Sequence, residues 1–378
     1  MLHPRQFVRL AAFLLAGVLA AQRPVVTVGG PPPNFSDLPA AIAAAAPGSV
    51  VEVRPGVYTG FATNKPLRVV LYGAIVQPAA GASYTIEVHD LADPDGFTLI
   101  GKNGATLATG PLGAMRVANT PVKVAIESMT MLAGPFQAGL DVRNTGVVHV
   151  SRSILVGWPG LQAQFCDLVS CENVIGNPYG VGAVVADSLF ESSRSIFIGT
   201  AQPALRLVST DARLASDGTG GMFVTGAVSV PVAAVEALDG SLWWDPSRFL
   251  LFPGGGGAAL SSAATLVVPI EVPMLNAGPA EPGGVASARL TIAQPSIAMI
   301  AMSFLQSTPQ VLGPVSIYLD PALYVTAAAG IADPAGLFVQ YPIPNDPTLR
   351  GEIYAFQGAT FNIHGVPRFS APALWCIE

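Results

Sequence analysis

Five charged side chains in the middle of the chain have the types and the spacing that a site for a polar ligand needs: Arg152, Glu172, Asp187, Glu191 and Arg194. Carboxylates accept hydrogen bonds or protons, and arginines hold hydroxyl or carboxylate oxygens. If these side chains share one outer face, they could bind a glycan. The competing interpretation is an ordinary solvated face on which opposite charges alternate.

Four aspartates also recur, about one in each twenty residues: Asp141, Asp167, Asp187 and Asp211. One carboxylate per interval could form an acidic row. Aspartate is also a common turn residue where strands end, and we therefore interpret these four as turn residues. No Asp-Asp or Asp-x-Asp pair occurs in this region, and no histidine stands at metal-ligand spacing from the cysteines, so the sequence predicts no metal site and no cofactor.

The elements that position these side chains follow from a repeat of about twenty residues that begins near Pro121. In each interval a polar residue precedes an apolar pair, and a second apolar strand follows. This period predicts a solenoid of stacked parallel strands, and the preference for Val and Ile argues against leucine-rich repeats. We expect an internal hydrogen-bonded ladder of stacked polar side chains: Ser128, Ser153, Asn173 and Ser195.

The N-terminal part, from Phe35 to Val76, predicts a short amphipathic helix that starts near Asn34 or Ser36, stops at Pro47-Gly48 and leads into short β-branched strands. This pattern resembles the cap helix and first coil of the pectate-lyase-like proteins. The matching residues are Asp37, Leu38, Ala41, Ile42, Ala44, Ala45, Gly48, Val51, Val53, Gly56 and Tyr58.

The resemblance implies an all-β fold, a right-handed single-stranded parallel β-helix (pectin-lyase-like) with an N-terminal cap helix. The family includes lyases, hydrolases, epimerases and adhesins, so the fold leaves the activity open. The dense acidic calcium site of the pectate lyases and the Asn-x-Asp and Asp-Asp motifs of the polygalacturonases are missing from this sequence.

The C-terminal part, from Ala286 onward, contains several short strands separated by Pro, Gly and Asp turns, which predicts a small antiparallel β-sandwich. The stretch from Tyr341 to Gln357 resembles a C-terminal module of secreted proteins from planctomycete-type bacteria. The expected domains are a signal peptide at residues 1–20, a β-helix at 24–272 and a β-sandwich at 273–378.

The first twenty residues predict secretion. His3, Arg5 and Arg9 precede an apolar run from Leu10 to Leu19 that is too short to cross a bilayer, and small residues allow cleavage near Ala20. We expect the protein outside the cytoplasm, secreted or in the cell envelope, with no membrane span after the leader is removed. The net charge of −6 argues against nucleic acid as a partner, and the presence of only three lysines argues against a basic membrane-binding patch.

The cysteines and tryptophans leave alternatives open. Cys166 and Cys171 could form a disulfide or remain buried thiols, and the pairing of Cys376 is undetermined. The apolar rings of Trp158, Trp243 and Trp244 could stack on sugars, although the last two are also expected as a hydrophobic plug at the end of the β-helix.

These observations favour an extracellular or cell-surface binding or structural module, with an extracellular polysaccharide as the candidate ligand. The alternative is a polysaccharide lyase or glycoside hydrolase that acts on acidic polysaccharide through Glu172, Asp187, Glu191 and Arg194, with Ca²⁺ only in the lyase case. Paired catalytic carboxylates would have to lie ~5–9 Å apart in a groove. The oligomeric state is not predicted.

Overall fold

The computed structural model describes residues 23–31, 34–178, 180–216, 221–225, 231–244, 248–269, 271–278, 280–312, 315–320, 322–346, 349, 352–361 and 367–377. The expected signal peptide lies outside these residues. The chain forms two compact units: one contains Val25–Ile270, and the other contains Glu271–Glu378 together with Arg23 and Pro24.

The first unit is a parallel β-helix, as the sequence predicts. Each coil contributes one strand to each of three sheets, which the chain visits in the order I, III, II. Sheet I contains β1 (Val25–Val28), β2 (Val50–Val53), β5 (Arg68–Tyr72), β8 (Phe97–Lys102), β11 (Val124–Glu127), β14 (Val147–Ser151), β17 (Asp167–Cys171) and β20 (Leu189–Ser193).

Sheet II lies on the second side of the helix and is the side that carries the candidate site. It contains β4 (Phe61–Thr63), β7 (Tyr84–His89), β10 (Gly113–Thr120), β13 (Ala138–Thr145), β16 (Leu161–Gln164) and β19 (Ala183–Ala186). Three longer strands turn the corner from sheet II into sheet I and join the two sheets: β22 (Leu205–Ala215), β24 (Val235–Trp244) and β26 (Leu260–Pro269).

Sheet III forms the third side and has nine parallel strands. They are β3 (Gly56–Thr59), β6 (Ala74–Gln77), β9 (Thr106–Leu107), β12 (Thr130–Leu132), β15 (Ile154–Val156), β18 (Val174–Gly176), β21 (Ile196–Thr200), β23 (Gly221–Thr225) and β25 (Leu250–Phe252). Alternate side chains of all three sheets point inward, and the inward ones are Val, Leu, Ile, Ala, Met and Phe that stack coil on coil into one continuous core.

The predicted cap helix is present as α1 (Leu38–Ala44), the one helix of the described residues. Its N-cap is Asp37, one residue after the expected start, because the Asp37 carboxylate accepts from the backbone N–H of Ala40 at 3.1 Å. At the other end, Lys65 Nζ donates to the carbonyls of Ile42, Ala43 and Ala45 at 3.1, 2.6 and 3.0 Å. A cation at the helix C-terminus satisfies carbonyls that the helix itself leaves without donors.

The predicted polar ladder is confirmed at Ser153, Asn173 and Ser195, which are all buried. Asn173 Oδ1 accepts from the Ser153 N–H at 2.8 Å, Asn173 Nδ2 donates to the Val150 carbonyl at 2.8 Å, and Ser195 Oγ accepts from the Asn173 N–H at 3.3 Å. The ladder connects three successive coils.

The assignment of Ser128 to this ladder is wrong by one residue. Thr130 pairs with Ile154, so Met129 stands in register with Ser153, and Ser128 stands in register with Arg152. Ser128 has φ +54° and turns the corner, where a left-handed residue changes the direction of the chain. A polar residue before an apolar pair therefore marks either of two adjacent positions in the coil.

The second unit is built from antiparallel sheets, as predicted, around a core of its own. Its strands are β27 (Met274–Ala277), β28 (Val285–Thr291), β29 (Ser296–Ser303), β30 (Leu305–Leu312), β31 (Val315–Leu319), β32 (Val325–Ala332), β33 (Leu337–Pro342), β34 (Ile353–Phe361), β35 (Pro367–Phe369) and β36 (Ala373–Cys376). β27, β28 and β33 form one sheet; β32, β29, β34, β35 and β36 form another; and β30 and β31 form a hairpin.

Candidate functional site

The five charged residues singled out in the sequence do not share one surface. Arg152, Glu172 and Arg194 stack at the corner between sheets I and III, each with φ between +48° and +55°. Glu191 lies in the middle of β20 on sheet I. Asp187 stands at the opposite corner, between sheets II and I, and the length of β20 separates it from Arg194 by ~20 Å.

Four of the five form ion pairs with a neighbouring coil, and Asp187 instead accepts from Gln164 Nε2 at 3.3 Å. Arg194 Nη1 lies 2.6 Å from Glu172 Oε1, Arg213 Nη1 lies 2.7 Å from Glu191 Oε1, and Arg152 contacts Glu127. Glu191 is 1% exposed. These pairs hold neighbouring coils in register, and the described geometry does not place Glu172, Asp187 and Glu191 in a common groove.

The four recurring aspartates occupy three different kinds of position. Asp187 is a corner residue with φ +49°, as the turn interpretation predicts. Asp167 is the first residue of β17. Asp211 of β22 stands in the same register two coils later, and Leu189 occupies this position in the coil between them. For Asp141 the turn interpretation is wrong, because this residue lies inside β13 and its side chain is buried on the outer face of sheet II.

Asp141 is the centre of a group of side chains that we call the polar cluster: Tyr84, Glu87, Arg116, Asp141 and Arg143. Glu87, Arg116 and Asp141 stand in register on β7, β10 and β13, and Arg143 lies two residues beyond Asp141 on the same side of the strand. Neighbouring parallel strands lie ~4.8 Å apart, so these positions form a short row on one face.

The contacts of the polar cluster converge on the Asp141 carboxylate. Arg143 Nε donates to Oδ1 at 2.8 Å, the Tyr84 hydroxyl donates to Oδ2 at 2.8 Å, and Arg116 Nε lies 3.9 Å from Oδ2. Arg116 Nη1 also reaches Glu87 Oε1 at 3.4 Å. The Asp141 side chain is 1% exposed whereas that of Arg143 is 43% exposed, so a buried carboxylate orients a guanidinium that faces solvent.

The titration of the cluster follows from this burial. Burial and the hydrogen bond to Asp141 raise the pKa of Tyr84 to about 12. The hydrogen bond to Asp141 also raises the pKa of Arg143. At physiological pH the cluster therefore offers a neutral phenol and charged guanidinium donors, and Tyr84 is not available as a phenolate base.

A cleft of about 590 Å³ opens beside the cluster. Pro39, Ile42 and Ala43 of the α1 region form one wall. Residues around β4, the loop before β7, and Tyr84 and Glu87 of β7 form the rest. This volume lies in the range of small-ligand sites, ~300–1,000 Å³. The cleft and the cluster are thus parts of one continuous surface.

An aromatic pair, formed by an exposed Phe136 and a half-buried Trp158, lies at the edge of sheet II, in the loops that lead into β13 and β16. The rings of Phe136 and Trp158 have centroids 4.2 Å apart and are inclined by 37°, and Phe136 is 78% exposed. Trp158 also packs on Gly180 of the following coil, where an added Cβ would meet its indole nitrogen at 2.4 Å. Only glycine leaves room for the indole there.

The other two tryptophans have separate roles. Trp244 packs against the core of the β-helix, in agreement with the plug interpretation, and the Trp243 ring lies under the Arg213 guanidinium, with 5.7 Å from Cζ to the ring centroid. Of the three tryptophans proposed as stacking platforms, Trp158 is therefore the one that lies at the edge of sheet II.

The chemistry of the cluster suits binding better than acid–base catalysis. Its two carboxylates, Glu87 and Asp141, lie on strands two positions apart, and Arg116 contacts both of them. The guanidinium occupies the place where a water molecule or a glycosidic oxygen would have to sit between a catalytic pair. Among the residues that the structure describes, no three His, Cys, Asp or Glu side chains come together as metal ligands.

Cys166 and Cys171 stand at opposite ends of β17, ~16 Å apart, which is too far for a disulfide. Burial raises the pKa of each thiol to about 12.

We expect iodoacetamide at pH 8 to leave Cys166 and Cys171 unmodified in the folded protein and to alkylate both in urea, because the thiolate is the reactive form. Peptide mapping by mass spectrometry measures this, and rapid alkylation of the folded protein would contradict it. The Cys376 side chain is outside the described part.

The fold and the site define the chain as a parallel β-helix protein with a polar cluster and a cleft on sheet II. Comparisons with protein-family models, with curated proteins and with solved structures give no match. None of the described helical segments is long and apolar enough to cross a membrane.

Proposed function

We propose that the chain is an extracellular carbohydrate-binding protein of the pectate-lyase-like β-helix type, which binds a polysaccharide segment along the outer face of sheet II. The observation that carries the proposal is the polar cluster at the mouth of the cleft, where a buried Asp141 orients Arg143 and Arg116 outward. Arginine donors in fixed positions suit the hydroxyl and carboxylate oxygens of sugars.

The aromatic pair supports the same ligand class. The exposed Phe136 and the half-buried Trp158 offer an apolar platform of the kind on which pyranose rings pack. The cleft borders β4 and β7, the cluster covers β7, β10 and β13, and the aromatic loops precede β13 and β16, so the three features follow one another over ~20 Å. An extended chain of several sugar rings fits such a row. The expected leader and the N-terminal motif support an extracellular protein of this type.

The test is calorimetric titration of the purified protein with oligosaccharides of cellulose, xylan, galacturonan and alginate. We expect at least one probe to bind, and we expect Arg143→Ala to weaken that binding about tenfold or more, because a charged donor is lost. Arg206→Ala is the matched control, since Arg206 is an outward arginine of sheet II, 34% exposed and bonded to Glu236 at 2.5 Å, several coils away.

Two outcomes would contradict the proposal: none of the probes binds, or the two arginine variants bind equally well. Release of unsaturated products or new reducing ends by the wild-type protein, lost in Arg143→Ala, would replace it with the lyase or hydrolase alternative.

A further inference from the structure

The outer face of sheet III differs from the other two sides in its charge. None of the residues in its nine strands is Asp, Glu, Lys, Arg or His. Sheets I and II, by contrast, carry charged side chains in most coils. The strands on this side of the solenoid are thus uncharged along its whole length.

The uncharged side is also exposed. Its outward positions include seven large apolar side chains, each between 37% and 62% exposed: Val57, Ile75, Leu132, Ile154, Val174, Leu250 and Phe252. They stand in two registered columns, because residues of one strand pair directly with those of the next. Scattered exposed apolar residues are ordinary on a protein surface, but an array on strands that carry no charged residue marks an interaction surface. The charged residues Arg152, Glu172 and Arg194 lie at the edge of this array, at the corner with sheet I.

We propose that sheet III is the interface of a symmetric homodimer, in which the uncharged face of one chain packs on the same face of a second copy. In a two-fold interface each patch meets itself, so any charged column would tend to face like charge. An uncharged face is self-complementary in this respect, and homodimer interfaces are more apolar than other contacts. Face-to-face packing of two sheets is also an established way to bury such side chains.

The size of the face agrees with a second copy as the occupant. Nine strands at ~4.8 Å spacing make it ~40 Å long, and strands of two to five residues make it ~7–16 Å wide. The plan area is on the order of 500 Å², and the accessible area is larger because the side chains project from it. A standard interface removes ~800 Å² from each partner, so nearly the whole face must take part.

Symmetry selects Ile154 as the most informative position. A two-fold axis that lies in the interface and passes through its centre brings β15, the middle of the nine strands, against β15 of the second copy. Ile154 is the more exposed of the two outward residues of β15, at 45%, and its column neighbours are Thr130 and Val174. A charged side chain there is solvated in the monomer and meets its own counterpart in the dimer.

The experiment is sedimentation equilibrium of the purified protein over a wide range of concentration. We expect a dimer for the wild type, and we expect Ile154→Arg and Ile154→Glu each to weaken self-association at least a hundredfold. Mixing the two variants should restore a dimer, since opposite charges then face each other near the axis. Leu238→Arg, at a 37% exposed position on sheet II, is the matched control and should remain dimeric.

A monomeric wild type would overturn the proposal, and so would an Ile154→Arg variant that associates like Leu238→Arg. Binding of a monomeric wild type to phosphatidylcholine vesicles would assign the face to a lipid surface instead, which also overturns it. Circular dichroism of each variant confirms folding. The outcome of the sedimentation experiment does not depend on carbohydrate binding, because the proposed carbohydrate site is on sheet II.

Discussion

Replacing Asn173 with Ala is expected to lower the free energy of unfolding by about 3–5 kcal/mol. The Asn173 side chain accepts from the Ser153 N–H at 2.8 Å and donates to the Val150 carbonyl at 2.8 Å and to Ser170 Oγ at 2.9 Å. All of these groups are buried, so the substitution leaves the Ser153 N–H without its acceptor and removes a donor from both the Val150 carbonyl and Ser170 Oγ. Each such group costs ~1–3 kcal/mol, and the lost volume adds a cavity.

Urea unfolding followed by circular dichroism measures this loss. The matched control is Val174→Ala, which removes a partly exposed side chain from the next residue of the same coil and should cost no more than about 1 kcal/mol. Similar midpoints for the two variants would show that the ladder does not stabilise the stack of coils.

Replacing Asp141 with Ala is also expected to cost about 3–5 kcal/mol, for an electrostatic reason. This carboxylate is the common acceptor for the Tyr84 hydroxyl and the Arg143 guanidinium, and it neutralises charge next to Arg116. Without it the buried phenol loses its acceptor, and two cations remain side by side on sheet II. Asp141→Asn keeps an acceptor but not the charge, so its cost should be intermediate.

Glu87→Ala is the matched control for Asp141→Ala, because Glu87 and Asp141 are the two carboxylates of the polar cluster. Glu87 is 31% exposed and has a single longer contact with Arg116, so its removal should cost about 0–1 kcal/mol. The free energies of unfolding of the two variants, obtained by urea titration, provide the comparison. Equal costs would mean that burial of Asp141 does not organise the cluster.

The internal ladder shows how far the sequence repeat predicts the structure. Their spacing alone predicts equivalent positions for Ser153, Asn173 and Ser195, and these residues hydrogen bond across coils as expected. The predicted position of Ser128 is wrong by one residue, because the repeat does not indicate which residue adopts the left-handed corner conformation. A shift of one residue moves a side chain from the core to the outside.

The candidate site could not be predicted in the same way. The sequence singles out Asp141 but indicates a turn there, and it does not connect Asp141 with Tyr84, Glu87 and Arg116, because these three residues precede the regular part of the repeat. The Tyr84 hydroxyl and the Asp141 carboxylate are 57 residues apart in sequence yet 2.8 Å apart in space. The sequence signal that could reveal the polar cluster is the alignment of the coil that contains Arg116 with the coil that contains Asp141.

By itself, the sequence determined the all-β class, the parallel solenoid, the cap helix and the antiparallel C-terminal strands. These depend on local features: β-branched runs, turn residues, a helix stop and a recurring interval. Only the tertiary structure decided which side chains share a surface. The loops of the coils differ in length, so the register between strands, and with it the row from Glu87 to Asp141, is set by how complete coils stack on the core.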